Sequence, residues 1–531
     1  MAKLKAIWQK ICETAARRYK TSALLFGLLL VAALPPFYYS WAVFVAFCGV
    51  FALSQGQSSV KRLSAIGYWF GFGYFSAGFY WIGNALLIDA AKTGWMYPFV
   101  LLLGGVFFGL FTIFPFALMK FAKNQFSKIL LLAAGWFLSA EWLRSVFLTG
   151  FPWNPLSSVL AFNPLWLQTL AWWGTYGLSM MIVIIATLPA VWLIKPNKRN
   201  ILAPLCSLLL ISGLYIYGDF ALVQWGKLNV GEQIRVRLVQ PSIPQTMKWS
   251  REAVEKNFAQ YIDLSRAEGL ENIDFVIWGE TASPFNLVYD LEHRVMAQEA
   301  VPPTGYLLAG MLQDGYDTNT GDYLLYNSLA VMDYFGQIHN IYSKNHLVPF
   351  GEYIPLRQYL PKWIKPLTNM VGQFAKGEKY QTIKLEDYAE FAPLICYEVI
   401  FSGQIVRKQN KPKWAVVLTN DGWYGISAGP YQHLVAAQMR AIEEGISIVR
   451  SANSGISAVI NPYGIMTSKI GLTERGYIDD TVKISMSHDT LFGRFGNVVP
   501  FLLSLFMLFA VFVLDKWDHY KGSLVQSTVK K

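Results

Sequence analysis

The sequence is dominated by long apolar runs. Seven fill the amino-terminal part, at about 21–35, 39–54, 65–88, 94–118, 127–148, 164–194 and 201–223, and an eighth follows at about 492–514. A hydrocarbon layer of roughly 30 Å takes ~20 residues of helix to cross, so runs of this kind belong in a bilayer, the first two being short enough to read as a tight hairpin. Aromatic residues crowd their ends, as Phe37, Tyr38, Tyr39 and Trp41 do between the first two, in the manner of interfacial belts. The first run follows a basic tail, but further apolar runs follow at once, so it reads as an uncleaved span and not as a signal peptide. Only 15% of the 531 residues are charged, against about 25% in an ordinary soluble domain. A wholly soluble enzyme and a disordered scaffold are both excluded.

The basic residues sort by loop. Lys3, Lys5, Lys10, Arg17, Arg18 and Lys20 precede the first run. Clusters at Lys61–Arg62, Lys120–Lys128 and Lys195–Arg199 occupy every second loop, and the carboxyl tail carries Lys516, Lys521, Lys530 and Lys531. The loops between hold only Lys92 and Arg144. Basic flanks stay on the cytoplasmic side, which puts both termini in the cytoplasm and agrees with an even number of spans. The net charge of +11 is therefore a statement about topology, and nucleic acid drops out as a partner.

Seven spans from a cytoplasmic start carry residues 224–490 to the opposite face. Here short β-rich runs alternate with helical or polar ones: "IRVRLVQ" (234–240), "DFVIWGE" (274–280), "YLLAGML" (306–312), "YNSLAVMD" (326–333), "FAPLICYEVI" (391–400), "WAVVLTN" (414–420), "ISIVRSAN" (446–453) and "GISAVINPYG" (455–464). Helical periodicity marks 251–268 and 432–445. The alternation predicts a layered α/β domain.

Of four cysteines, Cys12 lies in the tail, Cys48 and Cys206 lie in apolar runs, and Cys396 alone falls within 224–490. It has no partner there for a disulfide, so it is either a small buried residue or a nucleophile. Its place, where the strand of "PLICYEVIF" breaks into Tyr397 and Glu398, is one where chemistry is often sited. Histidine is the usual activator of such a thiol, but His293, His339, His346, His433 and His488 sit in contexts that mark surface or structural roles. Carboxylates and a lysine do stand at element ends: Glu280 closes "DFVIWGE", and Lys344 lies in "SKNHLVPFGEYIP" eight residues before Glu352. Each alone reads equally well as a solvated loop residue. In the fifth run Glu141 and Arg144 are three apart, the spacing of a helix-surface pair reaching toward the headgroups.

"WGE", then "SKNHLVPFGEYIP", then "ICYE", in that order, resembles the nitrilase superfamily, which uses a Glu-Lys-Cys triad. With seven spans before and one after, the whole chain resembles apolipoprotein N-acyltransferases of bacterial inner membranes, and "QPSIPQTMKW" (240–249) and "NDGWYG" (420–425) are similar to that family as well. The resemblance implies a polytopic α-helical membrane domain of about eight helices with an extracytoplasmic nitrilase-like αββα sandwich. Residues 1–223 would be the transmembrane domain, 224–490 a periplasmic catalytic domain, and 491–531 the last helix and a cytoplasmic tail. It also implies Cys396 as nucleophile, Glu280 as general base, Lys344 as the group that stabilises the tetrahedral intermediate, and Glu352 as the acid that holds Lys344. Tyr397 and Glu398 would support the nucleophile, the Tyr397 N–H serving as a second oxyanion donor, and Lys344 would also favour the thiolate.

The implied reaction moves an acyl chain from the sn-1 position of a phospholipid, phosphatidylethanolamine first among candidates, to Cys396. The chain then passes to the α-amine of the diacylglyceryl-cysteine that begins an apolipoprotein. No metal or organic cofactor is called for, and a monomer suffices. Trp249 is a candidate substrate contact. The segment 355–374, with Trp363 and Ile364 among basic residues, reads as an interfacial lid. The rival inside the same fold is a membrane-anchored amidase or nitrilase that gives its acyl group to water.

Overall fold

Strands form where β-branched and aromatic residues bury on both faces. In the computed structural model, which describes residues 14–225, 230–316, 321, 323–361, 364–367, 374–378, 381–407, 409–485 and 489–529, the chain divides into two compact units. One comprises residues 1–80, 96–220 and 495–531, the other 81–95 and 221–494.

The first unit is helical. Among the described residues, five helices are long and apolar enough to cross a membrane: Ala90–Phe121, Gln125–Thr149, Leu170–Ile194, Leu202–Gln224 and Val498–Trp517. Tyr19–Ala33 and Trp41–Ser54 are shorter apolar helices, as the short first runs predict. The third run is not one continuous span. Its helix, Val60–Gly78, gives way to a 3₁₀ stretch at Tyr80–Leu87, and residues from Trp81 belong to the other unit. Glu141 and Arg144 do pair, at 3.3 Å, but the pair is buried and does not reach toward headgroups. Arg144 donates to the carbonyls of Phe151 and Trp153, and Glu141 accepts from Trp136 Nε1 and the Leu156 N–H, so the pair ties the 151–156 segment to its own helix.

The second unit is a two-sheet sandwich. Its strands are β1 (Val230–Gln240), β2 (Phe275–Ile277), β3 (Tyr306–Tyr316), β4 (Tyr323–Asp333), β5 (Ile338–Ser343), β6 (Ile383–Leu385), β7 (Tyr388–Ile395), β8 (Trp414–Thr419), β9 (Ser447–Ala452), β10 (Ser457–Ile460), β11 (Met466–Ile470) and β12 (Gly476–Ser485). One sheet runs β12-β1-β2-β3-β4-β5 and the other β11-β10-β9-β8-β7-β6. The central pairs β1–β2, β2–β3, β7–β8 and β8–β9 are parallel. All eight predicted strand runs are strands. β5, β6, β11 and β12 are additional, being polar or edge strands whose alternation is weak. Helices α1 (Val254–Ser265), α2 (Leu291–Gln298) and α3 (Ala428–Glu444) complete the layers; α1 lies within the predicted stretch 251–268, and α3 overlaps the predicted 432–445 but begins one turn earlier.

Period-two alternation sorts the side chains. Ile234, Val236 and Leu238 of β1 meet Phe275, Ile277, Ile395, Trp414, Val416 and Leu418 between the sheets. Val239, Val276, Trp278 and Leu307 instead meet Phe258, Tyr261 and Ile262 of α1. Arg237 is wholly buried on that outer side: it pairs with Asp479 and donates to the carbonyls of Ser265, Ala267 and Glu268, the exposed C-terminal end of α1, where a cation complements the helix dipole.

Two glycines let the chain after β2 cross close to its neighbours. A Cβ on Gly279 would stand 2.9 Å from the Asn453 nitrogen, and one on Gly310 would stand 2.2 Å from the Gly279 carbonyl oxygen and 2.9 Å from the Glu280 Cα. These contacts are with backbone, which cannot rotate away, so Glu280 is held where it is by the absence of side chains beneath it. Gly310→Ala should cost about 1–3 kcal/mol, read as a lower thermal midpoint, together with a loss of turnover. An unchanged midpoint would show that β3 yields freely at this point.

Candidate active site

The three principal candidates come from three different strand ends. Glu280 follows β2, Lys344 follows β5, and Cys396 follows β7 of the other sheet. Lys344 is 1% exposed, and its Nζ donates to Glu352 Oε1 at 2.9 Å and to Glu280 Oε1 at 3.3 Å. A buried ammonium is tolerable only when carboxylates surround it. Burial disfavours its charge, but Glu352 and Glu280 outweigh that and push its pKa above the ordinary lysine range. Glu352 is fixed in turn by the Val348 N–H on Oε2 at 2.8 Å. Asn327, on β4, donates to Glu280 Oε1 at 2.7 Å, and its carbonyl accepts the Lys344 N–H. The carboxylates and the lysine are thus one network.

Cys396 is 5% exposed and stands at φ 53°, in the left-handed region. Burial pushes its thiol well above the ordinary cysteine range; the charge of Glu280 adds to this, while Lys344 pulls the other way. Lys344 favours the thiolate, as expected, but burial and Glu280 outweigh it. The lysine's charge is shared between two carboxylates, so Cys396 rests as a neutral thiol beside a carboxylate.

Glu398 is the hub that ties Cys396 to the lysine loop. Its Oε1 accepts from Tyr342 Oη and from the N–H groups of Asn345 and His346, and its Oε2 accepts the Ile395 N–H at 2.8 Å. One side chain thereby grips the residue before Cys396 and the two residues after Lys344. The Tyr397 ring packs edge-on against Phe401 and His346.

The remaining predicted residues sit further out. Trp249 is half-buried against Leu312, Leu325, Leu347 and Phe374, with the Lys248 ammonium 5.6 Å over its ring. Ile364 is half-buried, its carbonyl taking Arg357 and its N–H reaching Pro361. Trp363 lies outside the described residues, as does part of the expected lid segment, whose last residue, Phe374, is buried as packing.

Sequence reasoning missed Asn327 and Lys248. Lys248 is buried, donating from Nζ to the Glu280 carbonyl at 2.9 Å and to Thr281 Oγ1 at 2.7 Å, and burial, countered by Glu280 and Cys396, brings it down to about 8. Its one signal was its place in "QTMKW", beside the tryptophan that drew the attention. His293 and His339 pair with Asp290 and Asp333, as structural histidines do.

A buried thiol turning off a strand end, next to a carboxylate–lysine–carboxylate chain in a two-sheet sandwich, defines a carbon–nitrogen-hydrolase-type domain, here joined to membrane-type helices. The family model for carbon-nitrogen hydrolases matches residues 235–490, and that for the apolipoprotein N-acyltransferase N-terminal domain matches 26–188. Apolipoprotein N-acyltransferases of Rhodopseudomonas palustris (35% identical, 92% of this chain and 93% of that one), Brucella suis (33%, 93% and 95%) and Rickettsia prowazekii (33%, 94% and 99%) align along nearly their full lengths. A Saccharomyces cerevisiae nitrilase-superfamily structure, Nit3, overlaps 48% of this chain and 91% of its own at 16% identity and a TM-score of 0.35. The chain belongs to the apolipoprotein N-acyltransferase family.

The thiol's state can be titrated. Absorbance near 240 nm, taken as wild type minus Cys396→Ala, should show a thiolate forming only above the ordinary cysteine range. Glu280→Gln should bring that titration down and Lys344→Met should raise it further. A wild-type thiol ionising at or below the ordinary value would contradict the electrostatics of the site.

Proposed function

We propose that this chain N-acylates apolipoproteins by a thioester relay. Glu280 takes the Cys396 proton as Sγ attacks the sn-1 ester carbonyl of a phospholipid. Both recorded contacts of the Glu280 carboxylate fall on Oε1, so Oε2 is the oxygen that carries the proton. The tetrahedral oxyanion is met by the Lys344 ammonium and the Tyr397 N–H. Its collapse breaks the ester C–O bond, and the leaving alkoxide receives the proton from Glu280, giving lysophospholipid and acyl-Cys396. The α-amine of a diacylglyceryl-cysteine then attacks the thioester. Glu280 takes the amine's proton and returns it to the departing thiolate, and an amide is left on the lipoprotein.

The observation that carries this reading is the Glu280–Lys344–Glu352 network buried beside Cys396, in a chain of this family. The apolar helices support a membrane location for both lipid substrates. In this reading eight spans place both termini in the cytoplasm of a bacterium's inner membrane and the sandwich in the periplasm, and one chain is a working unit. Phosphatidylethanolamine is the proposed donor, Trp249 borders the acyl path, and Trp363 and Ile364 belong to a lid over it.

Intact-protein mass after incubation with phosphatidylethanolamine and no acceptor tests the relay. Wild type should gain one acyl group and Cys396→Ala none, and a diacylglyceryl lipopeptide with a free amine should discharge it. Discharge by water alone would favour the hydrolase, and no adduct with no lysophospholipid would end the thioester reading.

A further inference from the structure

Cys396 holds a backbone conformation that a residue with a side chain keeps only where its surroundings fix it. Glu398 grips the peptide before it. The peptide after it is gripped from the other side of the chain by a group that the reaction as described does not use: His433 of α3, fully buried, whose Nε2 lies 3.0 Å from the Cys396 carbonyl oxygen. A carbonyl oxygen only accepts, so Nε2 carries a proton. The opposite ring nitrogen, Nδ1, lies 2.8 Å from Asp421 Oδ1. Arg450 Nη2 donates to Asp421 Oδ2 at 2.7 Å and stands 3.1 Å from the same Nδ1. Burial opposes ionisation of Asp421, but Arg450 and His433 outweigh it and bring the carboxyl down to about 2. It is an anion throughout the neutral range.

The carbonyl oxygen of Cys396 and the N–H of Tyr397 are two ends of one conjugated peptide unit. A hydrogen bond accepted at the oxygen fixes the plane of that unit and polarises its N–H toward stronger donation. We propose that Asp421 and His433 form a relay that positions and polarises the Cys396–Tyr397 peptide, and so sets the oxyanion-binding strength of the Tyr397 N–H. This rests on the reading above in which that N–H faces the tetrahedral intermediate. His433 is a positioning residue here. It acts on the reaction through a backbone amide and touches neither substrate nor the thiol proton.

The test compares His433→Gln with His433→Asn in the full-length protein. The longer amide reaches the Cys396 carbonyl with an N–H, whereas the shorter one reaches Asp421 only. Thioester formation from phosphatidylethanolamine, followed by mass without acceptor, should slow about 10- to 30-fold in His433→Asn at an unchanged half-saturating lipid concentration, since a donor is weakened and not deleted. His433→Gln should stay within about threefold of wild type. The thioester C=O stretch, read by isotope-edited infrared with a ¹³C-labelled acyl carbonyl, should rise in frequency in His433→Asn and return in His433→Gln. That frequency reports the hydrogen bonds on the carbonyl and not the fold around it.

Wild-type rates in His433→Asn overturn the relay. Equal losses in both variants with an unmoved stretch also overturn it and leave His433 as packing. If His433→Asn shows no melting transition, His433→Gln decides alone: a folded protein slowed as far as about 30-fold, or with a displaced stretch, overturns the proposal. A wild type that forms no adduct sinks the thioester reading itself, whereas a competent wild type with indistinguishable variants sinks only the relay.

Discussion

A lysine ammonium buried between two carboxylates sets the terms for the rest of this site. Lys344 touches Glu352 and Glu280 at the join of two strand ends, and removing one partner from such a buried pair leaves a stranded charge that costs about 3–5 kcal/mol. The network therefore cannot be dismantled one residue at a time, and it fixes distances that a loop alone would not hold. Glu352 is committed to Val348 and Lys344, which would keep the lysine in place while Glu280 exchanges protons in the proposed relay. A single lysine–glutamate pair would lose its ion-pair partner whenever the base became protonated. The second acid keeps the ammonium compensated through that step.

The same division of labour governs Cys396. Cys396 and Thr281 both adopt positive φ, and each is held by a buried polar group from a distant part of the chain: Glu398 before Cys396, and Lys248 on the Glu280 carbonyl and the Thr281 hydroxyl. Strain of this kind is kept by surroundings that over-determine it. The apolar filling between the sheets supplies the rigidity, because Ile277, Ile395 and Leu418 bury the strands from which Glu280, Cys396 and Thr419 emerge.

How far the sequence revealed this depends on the kind of signal. β-rich runs such as "WAVVLTN" and "ISIVRSAN" are buried on both faces, so their composition alone marked them as strands. β5 and β12 carry Asn340, Asp479 and Lys483 on exposed faces, and that polarity concealed them. Glu280 and Cys396 stood out because each ends an apolar run with a reactive side chain, and Lys344 joined them because the order of the three motifs matches a family pattern. Asn327 and His433 lie inside a strand and a helix, where a polar residue looks like an ordinary solvated position. Only the fold reveals that Asn327 faces two carboxylates and that His433 faces a backbone carbonyl. The pull of Lys344 toward a thiolate was legible for the same reason that the thiol's net state was not: spacing gives proximity but not burial, and burial outweighs the lysine here. The break in the third apolar run was equally hidden, since nothing in its hydropathy shows that Trp81 donates from its indole to Gln432 and Asn84 to the Tyr424 carbonyl.

A neutral buried thiol suits a relay between lipids. A thiolate exposed at rest would be open to oxidants and to adventitious acyl groups, whereas in the proposed relay the thiol ionises only as Glu280 takes its proton, when a carbonyl is already in place. In the proposed relay, an acyl group on Cys396, a residue 5% exposed, would meet few water molecules, which is the condition for a thioester to wait for an amine. The incoming α-amine needs what the thiol needed, a carboxylate to take its proton and a cation with an N–H to receive the oxyanion, so in the proposed relay one set of groups serves both halves of the transfer. In the proposed relay, burial thus raises the cost of forming the nucleophile and, by the same exclusion of water, favours transfer over hydrolysis.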